Sequence, residues 1–144
     1  MSIYGIGARY GSEWMTDKFI DAGVAAIGFT ETDAPEIFAQ FRKVDIGDIM
    51  FMKAFGPNSS QLCIMGVGIV TDNDVVRINE ELGQGIKVDW VFTDEYYIPE
   101  RRKLGFDKHR NVRCGTLFEE HNREIKHLII DILLNPDEYE EDDE

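Results

Sequence analysis

The spacing of apolar residues in the first third of the chain predicts alternating strands and helices. Residues 2–7 form a short, glycine-interrupted strand pattern, and residues 12–23 carry apolar side chains at helical spacing. That helical segment starts with serine, a common N-cap, and ends with glycine, a common helix terminator. Residues 24–29 then predict a buried strand. Residues 32–35, which end in a proline, are a signal for the start of a second helix.

The middle of the chain has the pattern of successive strands. Residues 49–55, 62–70 and 87–93 are apolar or alternating runs bounded by turn-forming residues. Gly66 and Gly68 indicate a bulge or a sharp bend within the second of these strands. The three strands follow one another without a helical segment between them.

The polar run Asp72-Asn73-Asp74 has the composition of a turn. Further along, residues 111–118 predict one more strand, and residues 119–134 have apolar side chains at helical spacing. Asn135 and Pro136 end that last helix.

This order of elements predicts an α+β fold, in which an antiparallel, partly closed β-barrel is flanked by helices. A parallel doubly wound sheet would need a crossover helix between each pair of strands, and residues 49–92 contain none. With 144 residues, the chain has the size of one domain. We expect that domain to span residues 1–136.

The net charge of −13 is concentrated at the end of the chain, where residues 137–144 contain seven acids and no base. These residues are predicted to form a disordered acidic tail, because like charges repel and bury no apolar surface. Proteins that coat duplex nucleic acid need positive charge to neutralise phosphates. The acidic balance therefore argues against that class of protein, but it leaves open a pocket for one base or nucleotide.

Residues 101–113 contain six basic residues against one acid. Three interpretations stay open for this segment. It is a solvated loop, a local phosphate-facing patch, or a surface onto which the acidic tail folds.

Cys63 and Cys114 lie far apart, which fits free thiols in a reducing cytoplasm. The chain has no CxxC or HExxH motif and no apolar run long enough to cross a bilayer. We therefore expect a cytoplasmic protein without a cofactor and without membrane association.

Two sequence features invite an enzymatic interpretation. The glycines of residues 5–11 resemble a dinucleotide-binding loop, but the βα units of such folds do not follow. Asp45, Asp48 and Lys53 suggest a metal-dependent nuclease, whereas a turn followed by a core strand explains them more simply. We expect a protein that is not an enzyme, with a nuclease or a nucleotide-handling enzyme as the alternative.

Several short motifs together are similar to those of a known family. They are the stretch IGDIMFMKAF at residues 46–55, LCIMGVGIV at residues 62–70 and VDW at residues 88–90. The segments GARYG and AIGF, at residues 7–11 and 26–29, add to the similarity. The chain thus resembles the PUA-like superfamily, especially its EVE and YTH-related branch, over roughly residues 4–93.

The resemblance implies a small barrel with flanking helices, whose members often hold a modified or flipped base in an aromatic-lined pocket. It implies a domain that binds a nucleobase or nucleotide, with a nucleotide or short single-stranded nucleic acid as partner. The alternative is an acidic interaction or inhibitory module that engages a basic protein. The residues that the resemblance places at the pocket are Arg9, Tyr10, Trp14, Phe29, Lys53, Phe55 and Trp90.

Overall fold

The computed structural model describes residues 1–55, 62–99 and 117–140. The basic segment at 101–113 and most of the strand predicted at 111–118 lie outside these residues. In chain order the elements are β1 (Ile3–Ile6), β2 (Arg9–Tyr10), β3 (Glu13–Trp14), α1 (Thr16–Ala22), β4 (Val24–Ile27), α2 (Pro35–Phe41), β5 (Ile49–Phe55), β6 (Leu62–Asn79), β7 (Gly83–Phe92), β8 (Tyr96–Tyr97), β9 (Leu117–Glu119) and α3 (Arg123–Leu134).

One curled half-barrel sheet organises the described residues, with strand order β4-β7-β6-β5-β1-β9 and β8 paired to β6. The predicted α+β class is confirmed. The predicted antiparallel pairing is found between the other neighbouring strands of this sheet, whereas β1 and β5 pair in parallel. Parallel neighbours need a long crossover connection, and here β4, α1 and α2 all lie between them in the chain.

The central strands of the sheet are buried on both faces, and their side chains alternate between the two faces. Tyr4 and Met50 belong to a core shared with α1 and α2, which we call the α1/α2 face. Ile3 and Phe51, each one residue away, belong to a second core with α3, the α3 face. Successive side chains of a central strand therefore pack into two separate cores, one on each face of the sheet.

The first predicted helix begins later than expected. Residues 13–14 form β3, which pairs with β2, and the helix covers Thr16–Ala22. Ser12 is therefore not its N-cap. The prediction that Trp14 lies on this helix is wrong, because Trp14 belongs to β3. The amide of Met15 donates a hydrogen bond to the carbonyl of Ala8 (2.6 Å), which closes the hairpin just before the helix. At the other end Gly23 terminates the helix in the left-handed region (φ 67°), as predicted.

The strand predicted at residues 62–70 continues to Asn79. The run Asp72-Asn73-Asp74 is not a turn, because it lies in an irregular stretch of β6, where pairing with β7 shifts between Asp72 and Val76. The amide of Asp74 donates to Oδ1 of Asp72 (3.0 Å). Asp and Asn side chains make such local bonds in bulges as readily as in turns.

The C-terminal helix covers the α3 face. It begins after Asn122, whose side chain accepts a hydrogen bond from the amide of Ile125 (3.0 Å). Phe118 lies so close to β1 that a Cβ at Gly5 would be 2.2 Å from its ring. Glycine is therefore required at residue 5 by the close approach of this ring. The side chains that α3 buries are Ile125, Leu128, Ile129 and Ile132.

The structure describes the first four residues of the predicted acidic tail. Pro136–Glu138 form a single 3-10 turn after α3. The ring of Tyr139 then packs edge-on against Tyr96, with ring centroids 4.8 Å apart, and its hydroxyl group hydrogen-bonds to Asp131. Residues 141–144 lie outside the described part of the chain, and the disorder of the tail stays a prediction there.

Trp90→Ala is expected to lower the free energy of unfolding by about 3–5 kcal/mol, because it removes a large buried side chain. Trp90 is 8% exposed, and its indole N–H donates to the carbonyl of Val24 (2.9 Å). Denaturant unfolding measures the change. The matched control is Trp14→Ala, at a residue 47% exposed, which should cost less than about 1 kcal/mol. Equal losses from the two substitutions would contradict the assignment of Trp90 to the core.

Candidate functional site

A cleft of about 690 Å³ opens beside the second half of β6. Its walls come from the loop that follows β4, from the end of α2, from β6 beyond Asp72 and from the β6–β7 turn. Clefts of this size accommodate small organic molecules. The cleft is therefore the candidate functional site among the described residues.

The apolar side of the cleft consists of two phenylalanines. Phe38, on α2, is 3% exposed and lies at the base, whereas Phe29 in the loop after β4 is 47% exposed. Phe29 follows Gly28, against which the ring of Tyr10 packs, since a Cβ at Gly28 would be 3.2 Å from that ring. The loop then turns at Thr30, whose carbonyl accepts hydrogen bonds from the amides of Asp33 and Ala34. This loop thus places a large, half-exposed aromatic ring in the lining of the cleft.

The polar side of the cleft carries charges of both signs. The guanidinium of Arg42 is 2.6 Å from the carboxylate of Glu31 and 5.8 Å from the ring of Phe38. Arg77 lies 3.9 Å from Glu80. With Asp74, the lining has three carboxylates against two guanidinium groups. Both ion pairs are exposed, so each contributes little to stability and leaves its members accessible to a ligand.

The irregular stretch of β6 places polar groups in the wall of the cleft. Asn73, Asp74 and Val75 lie between the paired residues Asp72 and Val76, and all three line the cleft. The side-chain amide of Asn73 donates to the carbonyl of Val44 (3.3 Å), which holds the strand against the chain that follows α2. Bulges re-aim side chains in this way and are common beside binding sites.

Tyr10 supports the cleft from behind. Its hydroxyl donates to the carbonyl of Leu82 (2.8 Å) in the β6–β7 turn, and its ring meets Phe19 edge-on at 6.2 Å. Burial raises the pKa of Tyr10 well above its usual value of about 10. The hydroxyl and the ring of Tyr10 both contact other parts of the chain, so Tyr10 acts here as a supporting side chain.

The resemblance placed Arg9 and Trp14 at the pocket, whereas in the structure they lie together and are not part of the cleft lining. They are paired across the β2–β3 hairpin, and the guanidinium of Arg9 is 5.5 Å from the Trp14 ring centroid. Tyr10 is the next residue along β2, so its side chain points to the other side of the hairpin. Arg9 and Trp14 therefore form an exposed pair on the outside.

Lys53 lies on the α3 face, where its ammonium is 4.1 Å from the ring centroid of Phe118. Tyr10 packs against the α1/α2 core, on the other face of the sheet. Trp90 is in the α1/α2 core, and the side chain of Phe55 lies outside the described part of the structure. The predicted set is thus distributed over separate places, and among its described side chains Phe29 is the one that lines the cleft.

Sequence reasoning missed most of the polar lining of the cleft. Arg42, Asp74, Arg77 and Gln84 were not predicted as site residues. The available signal was the polar run that begins at Asp72, directly after an apolar strand. Such a polar run is as typical of a bulge as of a turn. Only the structure shows that the strand continues beyond it to Asn79.

The carboxylate of Asp48, considered above for a metal-dependent nuclease, is used by the backbone. It is 5% exposed and accepts the amides of Ser2 and Asp45, each at 2.9 Å. Within the described ranges no three side chains of the metal-binding types come together, and no helix there has the length and apolarity needed to span a membrane.

The chain was compared with protein families and with curated proteins. No family model matches it, and neither does any curated protein. The fold and the geometry of the cleft therefore carry the argument on function.

Tyr10→Phe should lower the free energy of unfolding by about 1 kcal/mol at pH 8, because the carbonyl of Leu82 loses its donor. The folded state holds Tyr10 protonated to a higher pH than the unfolded state does. The contribution of the Tyr10 phenol to the free energy of unfolding is therefore lost as the pH rises above about 10. Denaturant unfolding at several pH values should show the difference between the two proteins shrinking above that pH. A constant difference would contradict the buried, hydrogen-bonded state of the phenol.

Proposed function

We propose that this chain is a PUA-like binding domain that takes a nucleobase or nucleotide into the cleft beside β6. One observation carries the proposal: the cleft brings the half-exposed ring of Phe29 to the same space as the hydrogen-bonding side chains of the β6 bulge. A planar ligand that needs both an aromatic face and edge contacts matches this combination.

Stacking on Phe29 would supply the larger part of the binding free energy. Stacking of a base on an aromatic side chain contributes about 1–3 kcal/mol, and it tolerates any base because every base has a π-face. Discrimination between bases then comes from groups that reach the edge of the ring. Asp74 and Gln84 both line the cleft and have suitable side chains.

Charge favours a small nucleotide or a short single strand as the ligand. The chain has a net charge of −13, which opposes a continuous duplex backbone. Arg77 is 64% exposed at the cleft and lies 3.9 Å from Glu80, so its guanidinium can turn to a single phosphate. The proposal is for binding, and it assigns no reaction to the cleft.

A cytoplasmic location is part of the proposal. The two cysteines of the chain lie far apart in the sequence, which fits thiols in a reducing compartment.

Phe29→Ala is expected to weaken the binding of a mononucleotide about tenfold or more, because it removes the stacking face. Isothermal titration calorimetry of purine and pyrimidine monophosphates measures the affinities. The matched control is Trp14→Ala, which removes an equally exposed aromatic side chain outside the cleft and should leave the affinities unchanged.

Two outcomes would contradict the proposal. Binding that depends on Trp14 and not on Phe29 would move the site to the β2–β3 hairpin. If no nucleotide binds, the acidic interaction module that engages a basic protein becomes the better account, and pull-down with a basic polypeptide would be the next test.

A further inference from the structure

We infer that the cleft selects a base with an exocyclic amino group at its pairing edge, and that the carboxylate of Asp74 accepts the hydrogen bond from that group. This inference rests on the proposed function and specifies its ligand. Three points support it. They are the ion pairs that the other carboxylates of the cleft form, the hydrogen bonds that hold the backbone around Asp74, and the fact that an ionised carboxylate accepts hydrogen bonds but donates none.

Asp74 is the carboxylate of the cleft that forms no ion pair with the arginines of the lining. Glu31 is held by Arg42 at 2.6 Å, and Glu80 projects at the rim with its side chain 95% exposed. The carboxylate of Asp74 has no hydrogen-bond or ion-pair partner among the described residues. A ligand that enters therefore meets this uncommitted carboxylate in the same cleft as the ring of Phe29.

The backbone on both sides of Asp74 is fixed before a ligand arrives. Its own amide donates to Oδ1 of Asp72 (3.0 Å), and the neighbouring Asn73 is tied to the carbonyl of Val44 (3.3 Å). Beyond the bulge, Val76 and Arg77 are paired with Gly85 and Gln84 of β7. With the backbone held in advance, only the side chain of Asp74 has to be ordered when a ligand binds, which lowers the entropy cost of binding.

A carboxylate accepts hydrogen bonds and cannot donate them when it is ionised. The amino groups of cytosine and adenine are donors, and acidic side chains read the cytosine amino group in this way. Uracil and hypoxanthine carry a carbonyl oxygen at the same ring position, which would present its lone pairs to the negative charge. The discrimination thus includes a repulsive element against the oxo base, as well as an attraction to the amino base.

Two pairs of mononucleotides test this exchange, in which the adjacent ring nitrogen also changes from a hydrogen-bond acceptor to an N–H donor. CMP and UMP differ by an amino or oxo group on the pyrimidine, and AMP and IMP differ by the same exchange on the purine. In calorimetric titrations of the full chain, we expect the amino member of a bound pair to bind about tenfold or more tightly than its oxo partner.

Asp74→Asn should reduce this ratio to about threefold or less, because an amide can turn and donate to a carbonyl oxygen. The matched control is Glu36→Gln, which removes one negative charge from an α2 residue that does not line the cleft, and which should leave the ratio unchanged. Thermal unfolding of each variant verifies that the fold is retained.

The possible failures can be told apart. If amino and oxo members bind equally well, the inference is overturned while the proposed function stands. A tenfold preference that survives in Asp74→Asn also overturns it, because another group must then read the base. If no mononucleotide binds to the wild-type chain, both the inference and the proposed function fail.

Discussion

The 18-residue strand β6 pairs with β5, β7 and the short β8 over different parts of its length, and both the core and the cleft depend on this arrangement. From Leu62 to Ile69 it hydrogen-bonds to β5, and from Val67 to Asn79 it hydrogen-bonds to β7. Beyond Ile69, β5 no longer covers its second edge. Burial follows the same division, because the first half of the strand is buried and the second half is mostly exposed. The cleft lies along this second half, so one strand links the hydrophobic core to the candidate site.

Glycines make this strand compatible with dense packing on both of its faces. A Cβ at Gly68 would lie 2.4 Å from the carbonyl oxygen of Asp89, and one at Gly66 would lie 2.6 Å from the side chain of Met52. The alternation of side chains that fills two cores also explains why the predicted pocket residues are not together. Lys53 and Tyr10 contact cores on opposite faces of the sheet, and a sheet buried on both faces has no space through which they could meet.

The sequence predicted correctly those helices and strands whose ends depend on residues close by in the chain. The strand at 49–55, the helix that starts at Pro35 and the helix stop at Gly23 agree with the structure, since periodicity, proline and a left-handed glycine act within a few residues. The bulge indicated by Gly66 and Gly68 is present, because the pairing with β7 shifts between Val67 and Gly68. The β2–β3 hairpin and the second bulge of β6, at residues 73–75, were missed, because contacts with Ala8 and with β7 decide them. The cleft was missed for the same reason. Residues 28–31 and 73–84 lie far apart in the chain. The strand order β4-β7-β6 in the sheet brings them together.

The central claim is that the second half of β6 and the loop after β4 form a nucleotide-binding cleft. Two-dimensional 1H–15N NMR of the labelled chain during titration with CMP and AMP tests this claim residue by residue. The account predicts that the largest shift changes fall on amides of residues 28–31 and 73–84, with small changes at Arg9, Trp14 and Lys53. Changes centred on the β2–β3 hairpin or on the α3 face, or none at millimolar nucleotide, would contradict it.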